Sequence, residues 1–187
     1  MQQYISMHID QQYHVTINNK NQYIPVAIQG VLYLNTIRRL FMKEKIQQWA
    51  TDKGIDKPEG VQRQFLKLVE EFGELDSALQ RNDTPQYRDA VGDVQVVGII
   101  MAMQLGKDLE LNMDINDQTF PSVYLGKIAE ALAKNTDVFT PLQQFVTCIR
   151  QEASELFKVN PDECLEEVYA IISKRKGKTV NGVFIKE

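Results

Sequence analysis

The sequence has few of the residues that most often form zinc and redox sites, because its 187 residues include only two cysteines and two histidines. With Cys148 and Cys164 alone, the chain can form neither a disulfide framework nor a four-cysteine zinc site, and we predict both as small buried hydrophobic residues. Both histidines, His8 and His14, precede Met42. Chemistry from Met42 onward must therefore use carboxylates, amines, hydroxyls or a metal ion.

Long apolar runs and an excess of positive charge are also missing. No stretch approaches the roughly 18 to 20 uninterrupted apolar residues that a membrane-spanning helix needs, and the N-terminus lacks the basic start and apolar run of a secretory signal. We therefore expect a cytoplasmic protein with no membrane partner. The 21 Lys and Arg against 25 Asp and Glu give a net charge of −4, which argues against broad nucleic-acid binding.

Residues 1–41 differ from the rest of the chain, and we predict them as an N-terminal extension. Apolar and polar residues alternate up to Ile17, and the polar segment Asn18–Asn21 separates this run from a second apolar segment, 23–28. Such a pattern predicts a β-hairpin. Pro25 would confine its strand to an edge, because proline cannot donate a ladder hydrogen bond.

From about Asn35 the apolar residues recur at steps of three and four, which predicts helices. The predicted helices cover about 35–54, 61–81, 87–105, 121–135, 141–157 and 161–173. The third is apolar nearly all round and is predicted as a buried central helix, with Gly92 and Gly98 allowing close approach of its neighbours. We therefore predict an all-α bundle as the fold class, with one domain over 42–187.

Two groups of carboxylates carry the functional signal. Glu70, Glu71 and Glu74 lie on one side of the second helix, and Asp89 and Asp93 stand one turn apart on the third. If these helices pack antiparallel through their short turn, the two groups face each other. Asp93 precedes an apolar run, where an unpaired carboxylate is costly. An oxygen-rich site of this kind suits Mg²⁺ or Mn²⁺.

A solvated helix face is the competing interpretation of the glutamates. Lys67 lies three residues before Glu70 and four before Glu71, which is close enough for ordinary surface ion pairs. The spacing alone fits this interpretation at least as well, and the apolar neighbours of Asp93 add support to the metal interpretation.

The two acidic segments, 68–75 (LVEEFGEL) and 88–94 (RDAVGDV), together resemble the MazG family of all-α nucleoside triphosphate pyrophosphohydrolases. That family's pattern is E-E-x-x-E followed after a short interval by E-x-x-D. The resemblance covers about 42–187. It extends to Gln48-Trp49-Ala50 and to the ending 175–178 with 181–184, which looks like MazG-like proteins of phages and Gram-positive bacteria.

The resemblance implies Glu71, Glu74 and Asp93 as metal ligands. The sequence departs from the family pattern where the second motif's glutamate should stand, because this chain has Ala90 there. Asp89, one residue earlier, is the candidate to supply the missing oxygen, although one residue shifts it by about 100° around the helix axis.

The activity implied by the resemblance is Mg²⁺-dependent conversion of a nucleoside triphosphate to the monophosphate and pyrophosphate. Glu70 is the candidate to orient or deprotonate the attacking water, with a plain solvated glutamate as the alternative. Trp49 either stacks on the nucleobase or packs in the core. The candidate phosphate-binding residues, which could also form a merely solvated basic end, are Lys174, Arg175, Lys176 and Lys178.

Family members assemble as homodimers or homotetramers, and we expect the same here. Two other functions stay open at this stage. One is a related all-α hydrolase specific for dUTP. The other is a non-catalytic helical interaction module in which Ala90 has cost the bundle its metal affinity, with a partner bound through the hairpin or the basic end.

Overall fold

A computed structural model describes residues 14–17, 20–23, 26–111, 119–180 and 183–186, of which 14–34, 178, 180 and 183–186 are described by their backbone alone. The described part contains six α-helices: α1 (Val26–Asp52), α2 (Val61–Arg81), α3 (Thr84–Gln104), α4 (Pro121–Lys134), α5 (Phe139–Glu155) and α6 (Pro161–Ile172). It also contains two antiparallel hairpins: β1 (His14–Ile17) with β2 (Lys20–Tyr23), and β3 (Gly177–Val180) with β4 (Val183–Lys186).

The chain divides into two compact units, Met1–Phe41 and Met42–Glu187. The predicted all-α architecture is confirmed, since helices make up most of the described chain. None of these helices is long and apolar enough to cross a membrane.

The centre of the second unit is α3, which packs against α2, α5 and α6. Its apolar residues are buried almost without interruption from Val94 to Ala102, and this explains why the sequence is apolar on every side of the helix. Because neighbours within the same chain cover α3, its composition does not require a second copy of the protein.

Two glycines set how closely these helices approach, as predicted. A Cβ atom at Gly92 would lie 2.4 Å from Val168 Cγ2 and 2.5 Å from the carbonyl oxygen of Cys164, both on α6. At Gly98 it would lie 2.6 Å from Val146 Cγ2 on α5. The missing side chains therefore allow α6 and α5 to pack directly on the backbone of α3.

Alanine at Gly92 is expected to lower the free energy of unfolding by about 1 to 3 kcal/mol, because the backbone of α6 would have to move away. The matched control is Gly126→Ala on α4, where a Cβ atom would meet nothing within 4 Å. That change should raise stability by up to about 1 kcal/mol, since alanine favours the helix. Urea unfolding of both variants measures the difference, and equal stabilities would contradict the close packing.

A buried polar cluster also ties α5 to its neighbours. The guanidinium of Arg150 is fully buried and donates to Gln95 Oε1 on α3 and, at 2.5 Å, to Asp162 Oδ1 on α6. Gln95 in turn donates to the Pro161 carbonyl oxygen at 2.9 Å. These bonds hold three helices in one relative position.

The helix limits agree with the predicted ones to within about three residues, except at the start of α1. We predicted a strand over 23–28 and a helix from Asn35, whereas β2 ends at Tyr23 and α1 begins at Val26. Once a helix has nucleated, adding further turns is cheap, so the helix extends back over residues whose pattern alone is ambiguous. The part of the predicted hairpin before His14 lies outside the described residues.

Candidate metal centre

The turn between α2 and α3 brings the two acidic motifs onto facing helices. Asn82 ends α2 in the left-handed conformation, with φ of 54°. Asp83 then caps α3 by accepting a hydrogen bond from the backbone N–H of Gln86 at 3.1 Å. A turn this short forces the two helices to run antiparallel, as the sequence predicted. Glu71 on α2 and Asp93 on α3, which are similarly distant from the turn, are therefore neighbours.

Glu71 is the buried member of the first motif. It has only 3% of its surface exposed, in contrast to Glu70 and Glu74, which are exposed. Burial raises the pKa of Glu71 and the charges of Glu74 and Glu70 add to the effect, while Lys67 opposes it through a hydrogen bond and its positive charge. The first motif thus presents one carboxylate to the interior and two to solvent.

Asp93 is the most strongly perturbed carboxylate of the second motif. Burial, followed by the negative charges of Glu71 and Asp89, raises its pKa from the ordinary 3.8 to about 7. The positive charges of Arg175 and Lys67 act in the opposite direction. Close to neutral pH the side chain therefore exchanges a proton readily, and a cation placed beside it would favour the ionised form.

Position 90, where the sequence departs from the pattern that it resembles, lies in the core. Ala90 is 2% exposed and belongs to the hydrophobic core, so the helix face that carries it points inward. Asp89 is exposed. Its negative charge acts on Asp93 and raises the pKa of that carboxyl. That Asp89 supplies the oxygen of the missing glutamate stays a prediction.

The carboxylates, as they are arranged in this structure, do not form a coordination sphere for a metal ion. Within the described ranges, no three Asp, Glu, Cys or His side chains lie close enough together to hold a metal ion. Lys67 Nζ lies 2.6 Å from Glu71 Oε1 and 3.1 Å from Glu70 Oε1, so an ammonium group is placed among the carboxylates. The donors are oxygens of the kind that Mg²⁺ and Mn²⁺ prefer, and they already attract a cation. The type of donor atom therefore suits a hard divalent ion, whereas the present arrangement of the described side chains does not coordinate one, because Lys67 is paired with Glu71 and both Glu74 and Asp89 are exposed.

The basic segment after α6 is held against the residues that follow α1. Lys53 Nζ donates to the Arg175 carbonyl oxygen at 3.1 Å, and Thr179 Oγ1 donates to the Lys53 carbonyl oxygen. Arg175 is partly buried, and its charge reaches Asp93. Lys174 and Lys176 are exposed. The side chain of Lys178, the fourth predicted phosphate ligand, lies outside the described residues.

The remaining singled-out side chains belong to the core. Trp49 packs against the hydrophobic core and keeps part of its surface exposed, so the packing and stacking alternatives both stay open. Cys148 and Cys164 are both buried, which confirms that prediction.

Sequence reasoning assigned Lys67 only to ordinary surface pairs and did not anticipate its role beside the buried carboxylate. The signal that could have identified it is its spacing of four residues from Glu71, the one glutamate of the motif that falls on the apolar stripe of α2.

Comparison with known proteins gives a partial match. A segment of 61 residues, 33% of this chain, is 43% identical to an uncharacterized 18.2 kDa protein from the rep-hol intergenic region of Haemophilus phage HP1. The match spans 37% of that phage protein's length. No family model matches the chain. No solved structure matches it either.

Proposed function

We propose that this protein is a divalent-metal-dependent nucleoside triphosphate pyrophosphohydrolase of the MazG-like type, which converts a (d)NTP to the (d)NMP and pyrophosphate. One observation carries the proposal. Asp93 of α3 feels the negative charge of the buried Glu71 of α2 and the positive charge of Arg175. Hydrolysis of a triphosphate requires carboxylates that hold a divalent cation and a positively charged hydrogen-bond donor that binds the phosphates.

The carboxylates divide into ion-holding and water-orienting groups. Glu71 and Asp93 would hold the ion, with Glu74 and Asp89 completing its ligands from the exposed rim. Mg²⁺ or Mn²⁺ held there would supply Lewis acidity toward phosphate oxygens and would lower the pKa of a coordinated water. Glu70, exposed beside Glu71, is the candidate to orient or deprotonate the water that would attack the α-phosphorus.

The substrate's negative charge calls for a basic partner, and the segment after α6 provides it. Arg175 can bind two phosphate oxygens at once, and its backbone is anchored to Lys53. Lys174 and Lys176, and Lys178 on β3, add positive charge along the same segment. Trp49, with part of its surface exposed, is the candidate to stack on the nucleobase.

The direct test is to incubate the protein with each (d)NTP and Mg²⁺ and to measure pyrophosphate. We expect release that chelation with EDTA abolishes and added Mn²⁺ restores. Release from dUTP alone would favour the specific dUTP hydrolase. Release of orthophosphate without pyrophosphate would contradict attack at the α-phosphorus.

A non-catalytic helical module is the second candidate, and two observations favour it. Ala90 replaces a family carboxylate and is buried in the core, and no three carboxylates of the described chain share a coordination sphere. This candidate predicts no turnover with any nucleotide or metal. The dimer or tetramer that the resemblance implies stays a prediction, to be checked by light scattering.

A further inference from the structure

Lys67 is the one cation that contacts the glutamates of the first motif among the described ion pairs. It stands one turn before them on α2, and its Nζ lies 2.6 Å from Glu71 Oε1 and 3.1 Å from Glu70 Oε1. The side chain of Glu71 is only 4% exposed, whereas that of Lys67 is 46% exposed. The ammonium group therefore approaches a buried carboxylate from the solvent side.

This contact has a specific electrostatic role. An ionised carboxylate that is removed from water needs a counter-charge, because burying it alone costs several kcal/mol. Lys67 supplies that charge to Glu71, and its field extends to Asp93 on the facing helix. In the absence of a metal ion, the ammonium group of Lys67 thus offsets part of the negative charge of these carboxylates.

A divalent ion and this ammonium group would compete for the same oxygens. Two positive centres a few ångströms apart repel, and Glu71 cannot turn away because it is buried. Lys67, in contrast, is a long, flexible and half-exposed side chain that can swing into solvent at little cost.

We propose that Lys67 is an internal counter-cation that occupies the carboxylate centre in the metal-free protein and is displaced when a divalent ion binds Glu71. The inference rests on the proposed function in that it takes Glu71 as a metal ligand. It assigns to Lys67 the role of setting how tightly the metal binds, so Lys67 is a positioning residue and not a catalytic one.

The test is the dissociation constant of Mn²⁺ for the full chain, measured without nucleotide at pH 8 by electron paramagnetic resonance of the free ion. Lys67→Met should tighten Mn²⁺ binding by about tenfold, which corresponds to about 1.4 kcal/mol. The matched control is Lys134→Met. Lys134 forms the same kind of ion pair on α4, with Glu130 four residues earlier, and that pair includes none of the site carboxylates. That variant should bind Mn²⁺ as the wild type does.

A second variant, Lys67→Gln, removes the charge but keeps a hydrogen-bond donor. If Lys67→Met does not fold, Lys67→Gln takes its place in the test. Its affinity for Mn²⁺ should rise as well, and Mn²⁺ should raise its melting temperature more than that of the wild type. Wild-type binding with unchanged or weaker affinity in the Lys67 variants would overturn the counter-cation role alone. No Mn²⁺ binding by any of these proteins would overturn the proposed function together with it.

Discussion

Asparagine in place of Asp93 is expected to reduce pyrophosphate release at least about 100-fold and, in the same variant, to stabilise the metal-free protein at pH 8. The loss of activity follows from removing a metal ligand, since even residues that only support a ligand cost 10- to 100-fold when replaced. The gain in stability follows from removing a charge that the fold tolerates poorly. Opposite effects on activity and stability distinguish a functional carboxylate from a structural one.

The sign of the stability effect follows from the pKa of Asp93, which is raised from 3.8 to about 7 in the folded protein. Between these values the folded state binds more protons than the unfolded state, so the free energy of unfolding falls as the pH rises from about 4 to about 7. Above pH 7 the ionised side chain imposes its full penalty. Asparagine removes that penalty, and we expect a gain of about 1 to 3 kcal/mol at pH 8 and a smaller gain at pH 5.

Urea unfolding at the two pH values, with metal chelated, measures this difference. The control is Asp76→Asn on α2, whose exposed carboxylate accepts a hydrogen bond from Gln80 at 2.7 Å. It should change neither turnover nor the pH dependence of stability. A lower stability of Asp93→Asn than of the wild type at pH 8 would contradict this account. Asp93 would then stabilise the fold through its hydrogen bonds, and its charge would not lower the free energy of unfolding.

Replacing Glu74 by glutamine is expected to reduce turnover by a similar factor without changing the helical circular dichroism signal. Glu74 is exposed on α2, and its charge acts on the buried Glu71. Because its side chain is not packed in the core, the isosteric change removes a negative charge and a proposed metal ligand but no buried contact. The effect on activity can therefore be separated from an effect on folding.

The matched control for this variant is Glu130→Gln, an exposed glutamate of α4 that pairs with Lys134. Steady-state pyrophosphate release should be unaffected by that substitution. Unaltered turnover in Glu74→Gln would remove Glu74 from the ligand set and would leave Glu71, Asp93 and Asp89 as the candidates.

The helical part of the fold is predictable because its signals are local. Apolar spacing, the asparagine and aspartate between α2 and α3, and the Asn160-Pro161 start of α6 each mark a helix or its end within a few residues. The same local signals place Glu71 and Asp93 on facing helices. Gly92 and Gly98 were identified because glycine in a buried apolar helix indicates close packing.

Other features depend on contacts between distant residues and could not be inferred from local patterns. The cluster of Arg150, Gln95 and Asp162 joins three helices. No spacing rule identifies such a buried arginine. The hairpin of β3 and β4, in contrast, follows from a local signal. The Asn-Gly pair between its two strands is typical of a tight hairpin turn, so this hairpin was predictable from the sequence.

The burial of individual carboxylates is the feature of the centre that sequence reasoning could not predict. The motif shows five acidic residues on two helices, but it does not show that Glu71 alone of its group is buried. That burial depends on the exact rotation of α2 against α3, whereas the contact of Lys67 with Glu71 follows from a spacing of four residues on one helix. The expected close cluster of four carboxylates is accordingly not formed among the described side chains.

Mn²⁺ binding to the wild type and to the double variant Glu71→Gln/Asp93→Asn tests the central claim most directly. Electron paramagnetic resonance at pH 8 counts the bound ions without requiring a substrate or turnover. We expect saturable binding by the wild type that disappears in the double variant while the helical signal is preserved. Equal binding by the two proteins, or none by either, would contradict a metal centre formed by Glu71 of α2 and Asp93 of α3.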